Sequence, residues 1–480
     1  MQPTILGMVI LPLALLFIGN PVRLLQLALI VGVFDAGAAL VLGGDGGFGL
    51  PTAMVPGFLF LGYVVAQYAL GMRYPGEGQV LRTALPLIFF LIYAMVTAWL
   101  MPSVFAGQMM IWPNRPDPLA PSTVPLAPTS GNVTQSLYLA MNIVFAVLGG
   151  LFLTRRAISW RGLLMAYLAS GYLVVFLCFW NLASRLTGVW FPADILYSNP
   201  SWAIVEQAFG AVPRIQGPFS EPAGVAGFLS GVAFCSLRLC MRGYTTMRPM
   251  LLLVTSITSV LLSTSTTGIV MLVCGLPLLL LTGAGDREAM ARTRRTLGTL
   301  AAAVVIVVAP LAIALPGLVD AASVVIEETL QKGESDSFEE RGRMNQSAID
   351  AMIGSWGLGI GWGSTRSSSL IPGILGNSGA VGLGLLLWFA YNLRRLISTA
   401  NRMAPPDHPA RQALDGFLAA LCGQFGAGLL SGPTITALTF YLQLALVLGA
   451  ASRMVIDTPT TGRLRPRPEQ LRPLPWRPAA

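Results

Sequence analysis

Runs of mostly apolar residues recur along the whole chain, and short segments rich in proline, glycine or arginine separate them. A helix needs about 20 apolar residues to cross roughly 30 Å of hydrocarbon, which is close to the length of most of these runs. We therefore predict an all-α, polytopic membrane protein with about 12–13 transmembrane helices. The predicted spans are residues 4–19, 22–42, 51–71, 83–101, 134–153, 163–182, 221–241, 248–263, 266–282, 297–316, 373–393, 413–430 and 434–452.

Composition agrees with this class. Hydrophobic residues make up 54% of the chain, charged residues make up 11%, and the mean hydropathy is +0.68. These values lie outside the range of soluble domains. Membrane topology and contact with anionic membrane lipids explain the formal net charge of +9, and we expect no nucleic-acid partner.

The chain is predicted to form a single membrane domain over residues 1–453, followed by a cytoplasmic tail over residues 454–480. The tail is rich in arginine and proline, which is typical of a disordered segment lying against the inner leaflet. No basic residue precedes the first apolar run, so we expect that run to stay as a span. The proline-rich segment 102–133 is predicted to be an irregular outward loop, with Arg115 in solvent.

The distribution of arginine gives the predicted orientation. The chain has 30 lysine and arginine residues, and Lys332 is the only lysine. Most of the arginines lie on one side of the predicted membrane, which marks that side as the cytoplasm. The exceptions are Arg115, Arg185, Arg214, Arg341, Arg343 and Arg366.

Two long loops, residues 183–219 and 317–372, are therefore predicted to face outward. Arginines on the translocated side run against the topological bias, so they need a separate explanation. The explanation that we favour is the binding of an anionic substrate on the non-cytoplasmic side.

The cysteines and the single histidine exclude several kinds of site. The five cysteines all lie inside predicted spans and show no CxxC spacing, so we expect small core residues and neither a disulfide nor a metal site. His408 lies in the predicted inward loop 394–412. A histidine-based metal site or a Ser-His triad on the outer side is therefore excluded.

The segment from Arg214 to Gly224 is the most informative local stretch. Ser220 is a natural N-cap, Glu221 suits the positive end of a helix dipole, and Pro222 suits a first helical turn. Glu221 can thus be simply a carboxylate at a helix start. The alternative is that Glu221 and Arg214 form an acid/base and phosphate-binding site at the membrane boundary.

A hydroxyl-rich turn, Ser263 to Gly268, is predicted between two spans. Its hydroxyls, including that of Ser265, could bind sugar or phosphate oxygens. They could equally satisfy the polar groups of the two helix ends.

The loop 317–372 begins acidic, with Asp336, Glu339 and Glu340, and then turns basic. A helical pattern starts after Phe338 and puts Arg341 and Asn345 on one face.

The pattern ends at a glycine-rich segment, Gly357 to Gly363, which is followed by Arg366 and three serines from Ser367. Alternating glycines such as Gly361 and Gly363 let a backbone approach a ligand closely or form an anion-binding nest. No strand precedes the segment, so it is not a dinucleotide-binding fingerprint.

The order and spacing of these segments resemble the O-antigen ligase and polymerase superfamily, over roughly the C-terminal two-thirds of the chain. The similarity lies in Ile215 to Pro222, the turn Ser263 to Gly268, Arg341 followed by Gly357-Leu-Gly-Ile-Gly-Trp-Gly-Ser, and Gly373-Ile-Leu-Gly-Asn-Ser-Gly. The resemblance implies a bacterial enzyme of the inner (cytoplasmic) membrane with a C-type glycosyltransferase fold. Its substrate would be an undecaprenyl-diphosphate-linked oligosaccharide on the periplasmic side.

In this family, arginines of the two large outward loops are thought to hold the diphosphate. The resemblance therefore points to Arg214 and Arg341, assisted by Arg343 or Arg366. The ligase branch has a histidine where this chain has Arg366 and the serines that follow it. The missing histidine favours a polymerase of exopolysaccharide, capsule or O-antigen, which could work beside a chain-length regulator and a flippase.

The chemistry can also be stated from the residues alone. Transfer of a glycan from a lipid diphosphate needs cations on the leaving diphosphate and a base for the attacking hydroxyl. Glu221 is the best-placed base, and Asp336, Glu339 and Glu340 are its competitors. The leaving group is already activated, so we expect no metal and no cofactor.

Two further classes remain as alternatives. A lipid-linked-oligosaccharide flippase or transporter often has charged residues within its spans, whereas Asp35 and Asp415 are rare exceptions here. A structural membrane scaffold would need neither the glycine-rich segment nor the outward arginines.

Overall fold

The computed structural model of the chain describes residues 2–42, 48–114, 122–200, 208–209, 212–281, 291–299, 301–302, 305–306, 336–432 and 437–458. It is 72% helix and 4% strand, as expected for an all-α membrane protein. Seven of the described helices are long and apolar enough to cross a membrane. They are α4 (Glu77–Val104), α5 (Ser130–Phe152), α6 (Trp160–Thr187), α8 (Pro222–Met241), α13 (Leu370–Met403), α14 (Pro409–Leu430) and α15 (Leu438–Asp457).

The other helices are shorter. They are α1 (Ile5–Leu16), α2 (Pro21–Val31), α3 (Met54–Ala69), α7 (Ala193–Leu196), α9 (Pro249–Leu262), α10 (Thr266–Val270), α11 (Leu276–Leu281) and α12 (Asp336–Gly354), with a π-helical turn, Met271–Gly275, between α10 and α11. Twelve of the predicted spans thus coincide with an apolar helix, whereas the predicted span 297–316 lies mostly outside the described residues. Of the tail, residues 459–480 also lie outside them.

The predicted span 22–42 is wrong in its second half. Helix α2 ends at Val31, and residues 38–42 form a strand. The polar turn around Asp35, flanked by Gly32 and Gly37, interrupts the apolar run, and the length of such a run does not distinguish a helix from a helix followed by a strand.

The strands form small antiparallel sheets. Strands β1 (Gln2–Pro3), β2 (Ala38–Leu42) and β3 (Phe48–Pro51) make one sheet in the order β1-β2-β3, with Val41 opposite Gly49. The other two sheets are hairpins, β4 (Met110–Ile111) with β5 (Val124–Pro125) and β6 (Ala208–Phe209) with β7 (Val212–Pro213).

The predicted loop boundaries also change. Helix α4 continues to Val104 and α6 to Thr187, so Arg185 lies in the last turn of a helix. The predicted helix after Phe338 is present as α12, inside the predicted loop 317–372.

Helices α8 and α14 are closely packed antiparallel neighbours. A methyl group at Gly423 would lie 2.8 Å from Gly231 Cα, and one at Gly227 would lie 3.6 Å from Ala427 Cβ. The start of α8, at Glu221, therefore lies beside the end of α14, at Leu430. We call this end of the bundle the Glu221 end.

The opposite end of α8 carries an ion-pair cluster around the buried Asp415. Asp415 accepts hydrogen bonds from Arg242 Nε at 2.7 Å and from Arg238 Nη2 at 3.4 Å. This pairing explains how α14 tolerates a buried carboxylate, since buried charges are paired in folded proteins.

The cysteines only partly match the expectation of core residues. Cys178 and Cys235 are buried in α6 and α8, but Cys274 and Cys422 are exposed on the surface of the helices. That prediction was wrong for the exposed pair, because an apolar span has a core-facing side and an outer side.

Candidate functional site

Arg214 is fixed against the hydroxyl-rich turn. Its Nε donates to the backbone carbonyl of Ser263 at 3.2 Å, and its Nη2 to that of Thr264 at 3.4 Å. Thr264 has φ 48°, a left-handed conformation that few residues other than glycine adopt. Arg214 therefore connects the segment before α8 to the hydroxyl-rich turn, two segments that stand out independently in the sequence.

The pKa of Arg214 shows which charged residues lie near it. Burial lowers the pKa of Arg214, the positive charge of Arg341 lowers it further, and the negative charge of Glu221 acts in the opposite direction. A charge has these effects only on groups in its neighbourhood. Arg341 and Glu221, which are both exposed, thus lie in the electrostatic neighbourhood of the half-buried Arg214, although more than 120 residues separate Arg214 from Arg341 in the sequence.

Glu221 lies directly before the first residue of α8, but its side chain does not cap the helix. It occupies the N-cap position itself, with φ −148° and ψ 156°, and its side chain makes no capping hydrogen bond. Ser220, which we expected at the N-cap, precedes it by one residue and is buried, whereas Glu221 is exposed. The carboxylate is therefore not used to satisfy the helix start, although it still lies at the positive end of the helix dipole.

Arg341 is positioned by α12. One turn further along this helix, Asn345 Oδ1 accepts from the amides of Ser368 at 2.9 Å and Ser369 at 3.1 Å, and its Nδ2 donates to Ser369 Oγ at 3.2 Å. Residues four apart lie on one helical face. This face of α12, with Arg341 exposed on it, is therefore held toward the serine segment 367–369.

The serine segment is itself attached to the Glu221 end. Ser368 O accepts from the amide of Gly432 at 3.2 Å, just beyond the end of α14. The Ser367 hydroxyl is buried and donates to Ser369 O at 2.8 Å, which indicates a structural use. Arg366 is exposed at the start of the segment.

Arg343 lies on α12 next to Glu339. Its Nη2 is 3.9 Å from Glu339 Oε2 in an i,i+4 pair whose two side chains are each 68% exposed. Such exposed pairs contribute little to stability. Glu340 is exposed, and the side chain of Asp336 lies outside the described part of the chain.

The predicted roles of Gly361 and Gly363 in substrate binding stay predictions, because packing alone explains the glycines. Both have positive φ, 101° and 84°, and so do Gly357 and Gly359. A methyl group at Gly361 would lie 2.8 Å from Thr97 O of α4, and one at Gly363 would lie 2.9 Å from Gln135 Cβ of α5.

The amides of the glycine-rich segment also point into the protein. Ile360 N donates to Gly376 O, Gly361 N donates to Asn377 O, and the amides of Ser364 and Thr365 donate to Asn377 Oδ1. These amides are therefore not arranged as an anion-binding nest. Asn377 organises the segment, and sequence reasoning missed its role; its position as a polar residue in an apolar, glycine-rich run was the available signal.

Ser265 starts α10 next to the Arg214 contact. It is buried, and its amide donates to Ser263 Oγ at 3.4 Å. The turn holds Arg214 through backbone carbonyls, which the sequence could not indicate.

Asp35 lies near Glu221, although the sequence predicted it to lie inside a membrane span. It lies in the turn between α2 and β2, and the amide of Ala36 donates to Pro218 O at 3.2 Å. Burial, and then the negative charge of Glu221, raise the pKa of Asp35 to about 6. A carboxylate in an otherwise apolar run was the signal.

A large cavity lies next to the glycine-rich segment. It has a volume of about 1090 Å³, and its lining is mostly apolar, with Phe58, Leu137 and Met141 among the residues. Gly363 and Ser364 form part of its wall, while Arg214, Glu221 and Arg341 do not line it. The cavity is thus separate from the charged site.

Comparison with known protein families finds no matching family model, and comparison with curated proteins finds no match either.

Proposed function

We propose that the protein is a polysaccharide polymerase that joins undecaprenyl-diphosphate-linked oligosaccharide units at the periplasmic side of the bacterial inner membrane. The observation that carries this proposal is the convergence of Arg214, Arg341 and Glu221 at one end of a bundle of apolar helices. The glycosyltransferase fold of the C type and the outward position of the site are parts of the same proposal.

The charges of the site suit a diphosphate. Two guanidinium groups near each other, one of them partly buried, repel each other, and a bound dianion would lower the electrostatic free energy of the site. Arginine binds phosphate oxygens with paired N–H groups, which favours it over lysine for a leaving diphosphate. Arg366, exposed beside the serine segment, is an assisting candidate, and Arg343 is a weaker one.

The apolar cavity beside the glycine-rich segment suits the lipid part of the same substrate. An apolar cavity of about 1090 Å³ could hold part of a polyprenyl chain while the diphosphate lies at the arginines. Ser364 in the cavity wall and Arg366 are two residues apart. The polyprenyl chain and the diphosphate headgroup would therefore bind to adjoining parts of one protein segment.

In the proposed reaction, the acceptor hydroxyl attacks the anomeric carbon of the donor. The carbon–oxygen bond to the diphosphate breaks, and the electron pair leaves with the diphosphate, whose charge Arg214 and Arg341 stabilise. Glu221 takes the proton of the hydroxyl. These steps use the protein's own side chains alone.

A ligase that transfers the finished glycan to a lipid A-core or another acceptor is the second candidate, and the position of His408 counts against it. His408 Nε2 lies 3.3 Å from Asp457 Oδ2, beyond the Asp415 end of α14 and far from Glu221. The one histidine of the chain therefore cannot act at the arginine site.

A deletion strain separates the candidate functions by the pattern of its polysaccharide on a gel. Lipid-linked or capped single repeat units without a length ladder support the polymerase. Loss of glycan from its final acceptor, with lipid-linked polymer retained, would indicate a ligase. Unpolymerised units that accumulate on the cytoplasmic side would indicate a flippase.

A further inference from the structure

Hydrogen bonds among three segments, residues 35–36, 197–199 and 217–218, hold the turn of Asp35 against the segment before Glu221. The amide of Ala36 donates to Pro218 O at 3.2 Å, and Ala36 O accepts from the amide of Asn199 at 3.1 Å. Tyr197 Oη donates to Gly217 O at 2.8 Å, which fixes the segment before Glu221 from the other side. The turn around Asp35 and the start of α8 therefore form one hydrogen-bonded unit.

We propose that Asp35 and Glu221 form a proton-handling carboxyl pair in which Glu221 takes the proton of the attacking hydroxyl and Asp35 then receives it from Glu221. This inference rests on the proposed glycosyl transfer. Asp35 acts through Glu221 in this scheme and is therefore a positioning and proton-relay residue.

The environment of Asp35 suits the receiving end of such a relay. Burial and the charge of Glu221 disfavour its ionised form, so its pKa is about 6, and it holds a proton more tightly than an ordinary aspartate does. A carboxyl group that titrates near the working pH is an effective proton acceptor.

Among the described residues, three other titratable groups lie on the segments that pack around the pair. Arg214 lies on the segment before Glu221, and Asp194 and Tyr197 lie on the segment that packs against Ala36. Among the described groups, Glu221 is the charge that adds to burial in raising the pKa of Asp35. The titration of Asp35 should therefore depend on Glu221 more than on any of these neighbours.

The proton balance of the step is complete. The acceptor O–H bond breaks as the new glycosidic bond forms, and the hydroxyl proton moves to a Glu221 oxygen. It then passes to an Asp35 oxygen, directly or through one water, and leaves to solvent before the next turnover. No oxidant or other co-reactant is needed.

The first test measures the titration of Asp35 without any substrate. Infrared spectra of the purified full-length protein in lipid nanodiscs should show a protonated carboxyl band with a midpoint near pH 6 that is absent in Asp35→Asn. In Glu221→Gln the midpoint should move to lower pH, because the neighbouring negative charge is gone. An unchanged midpoint in Glu221→Gln would contradict the pair.

The second test measures turnover with a lipid-diphosphate-linked oligosaccharide. Wild-type turnover should fall as the pH drops through about 6, because protonated Asp35 cannot receive a proton. Asp35→Asn should lose roughly 10-fold or more in turnover, should keep its affinity for the donor, and should lose this acid limb. Asp35→Glu should restore part of the turnover.

Asp194→Asn serves as the matched control, since Asp194 is an exposed acid on the neighbouring segment, and it should behave as the wild type. Wild-type turnover and an unchanged acid limb in Asp35→Asn would overturn the relay. A wild-type protein that shows the coupled titration but transfers no glycan would overturn the relay together with the proposed function. It would leave the carboxyl pair itself in place.

Discussion

Arg214 is held in place by the hydroxyl-rich turn, because its guanidinium donates to the carbonyls of Ser263 and Thr264. The sequence indicated Arg214, Glu221 and Arg341 by their unusual positions, and in the structure Glu221 and Arg341 are close enough to Arg214 for their charges to act on it. Asp35 was missed because an apolar run hides a turn, and the Arg214 contact was missed because backbone carbonyls carry no sequence signal.

Arg214→Lys tests the anion site at the residue scale. Lysine keeps the positive charge but loses the planar group that bonds to two carbonyls and can pair with phosphate. We expect at least about a tenfold loss of affinity for a lipid diphosphate, since a charge-assisted hydrogen bond is worth about 1.5–3 kcal/mol. Arg161→Lys, at the opposite end of the bundle near Thr246, is the control and should bind normally. An equal loss of affinity in both variants would show that the effect is not specific to Arg214 and would contradict the anion site.

Glu221→Gln separates a catalytic carboxylate from a helix-start carboxylate. The loss of the dipole interaction alone would cost about 0.3–1 kcal/mol of stability. Loss of a general base lowers the rate by roughly 10²–10⁴-fold. We expect the large rate loss with a nearly unchanged melting temperature, measured on the purified protein. Normal turnover would remove Glu221 from the mechanism and transfer the role to the acidic residues of α12.

At the scale of elements, α12, the glycine-rich segment and the start of α13 act as one support for Arg341. Helical spacing predicted α12 and its Arg341–Asn345 face from the sequence. The use of Asn345 to hold Ser368 and Ser369 depends on how the chain folds back, which local pattern does not specify. Helix α13 is broken at Gly379, with φ 65° and ψ −169°, where its backbone packs against Gly357.

Gly379→Ala should disturb this support. The new methyl group would collide with the carbonyl oxygen of Gly357, and alanine is strained at this positive φ. We expect an apparent loss of stability of about 1–3 kcal/mol or more, together with reduced activity. Gly384→Ala on the same helix is the control, because its methyl group would meet open space. There alanine should be neutral or stabilising by up to about 1 kcal/mol. Thermal unfolding in detergent compares the two variants, and equal melting temperatures would argue against the packing role of Gly379.

At the scale of the whole molecule, hydropathy predicted the helical class and the positions of twelve apolar helices, because length and apolarity largely determine a membrane span. It failed where an apolar run contains a turn and a strand, as in residues 22–42. The pairing of α8 with α14 depends on small residues meeting across the interface, for example Gly231 and Gly423. Which small residues meet across this interface cannot be predicted from the hydropathy pattern alone.

The proposed orientation is tested by single cysteines in a variant without the five native ones. Asp194→Cys lies at the Glu221 end and Asp407→Cys at the opposite end, and both native side chains are exposed. The positive-inside rule predicts that an impermeant thiol reagent labels position 194 in intact spheroplasts and position 407 only after permeabilisation. The reverse pattern would put the arginine site in the cytoplasm.

The central claim is that the arginine site transfers glycans from a lipid diphosphate, and the most direct measurement is turnover by the purified protein in nanodiscs. With a labelled undecaprenyl-diphosphate-linked repeat unit as the only substrate, we predict a ladder of longer glycans. One undecaprenyl diphosphate should be released for each new linkage, and Arg341→Lys should abolish both products. Wild-type protein that releases no undecaprenyl diphosphate and forms no linkage, yet moves the intact substrate across a sealed bilayer, would contradict the account.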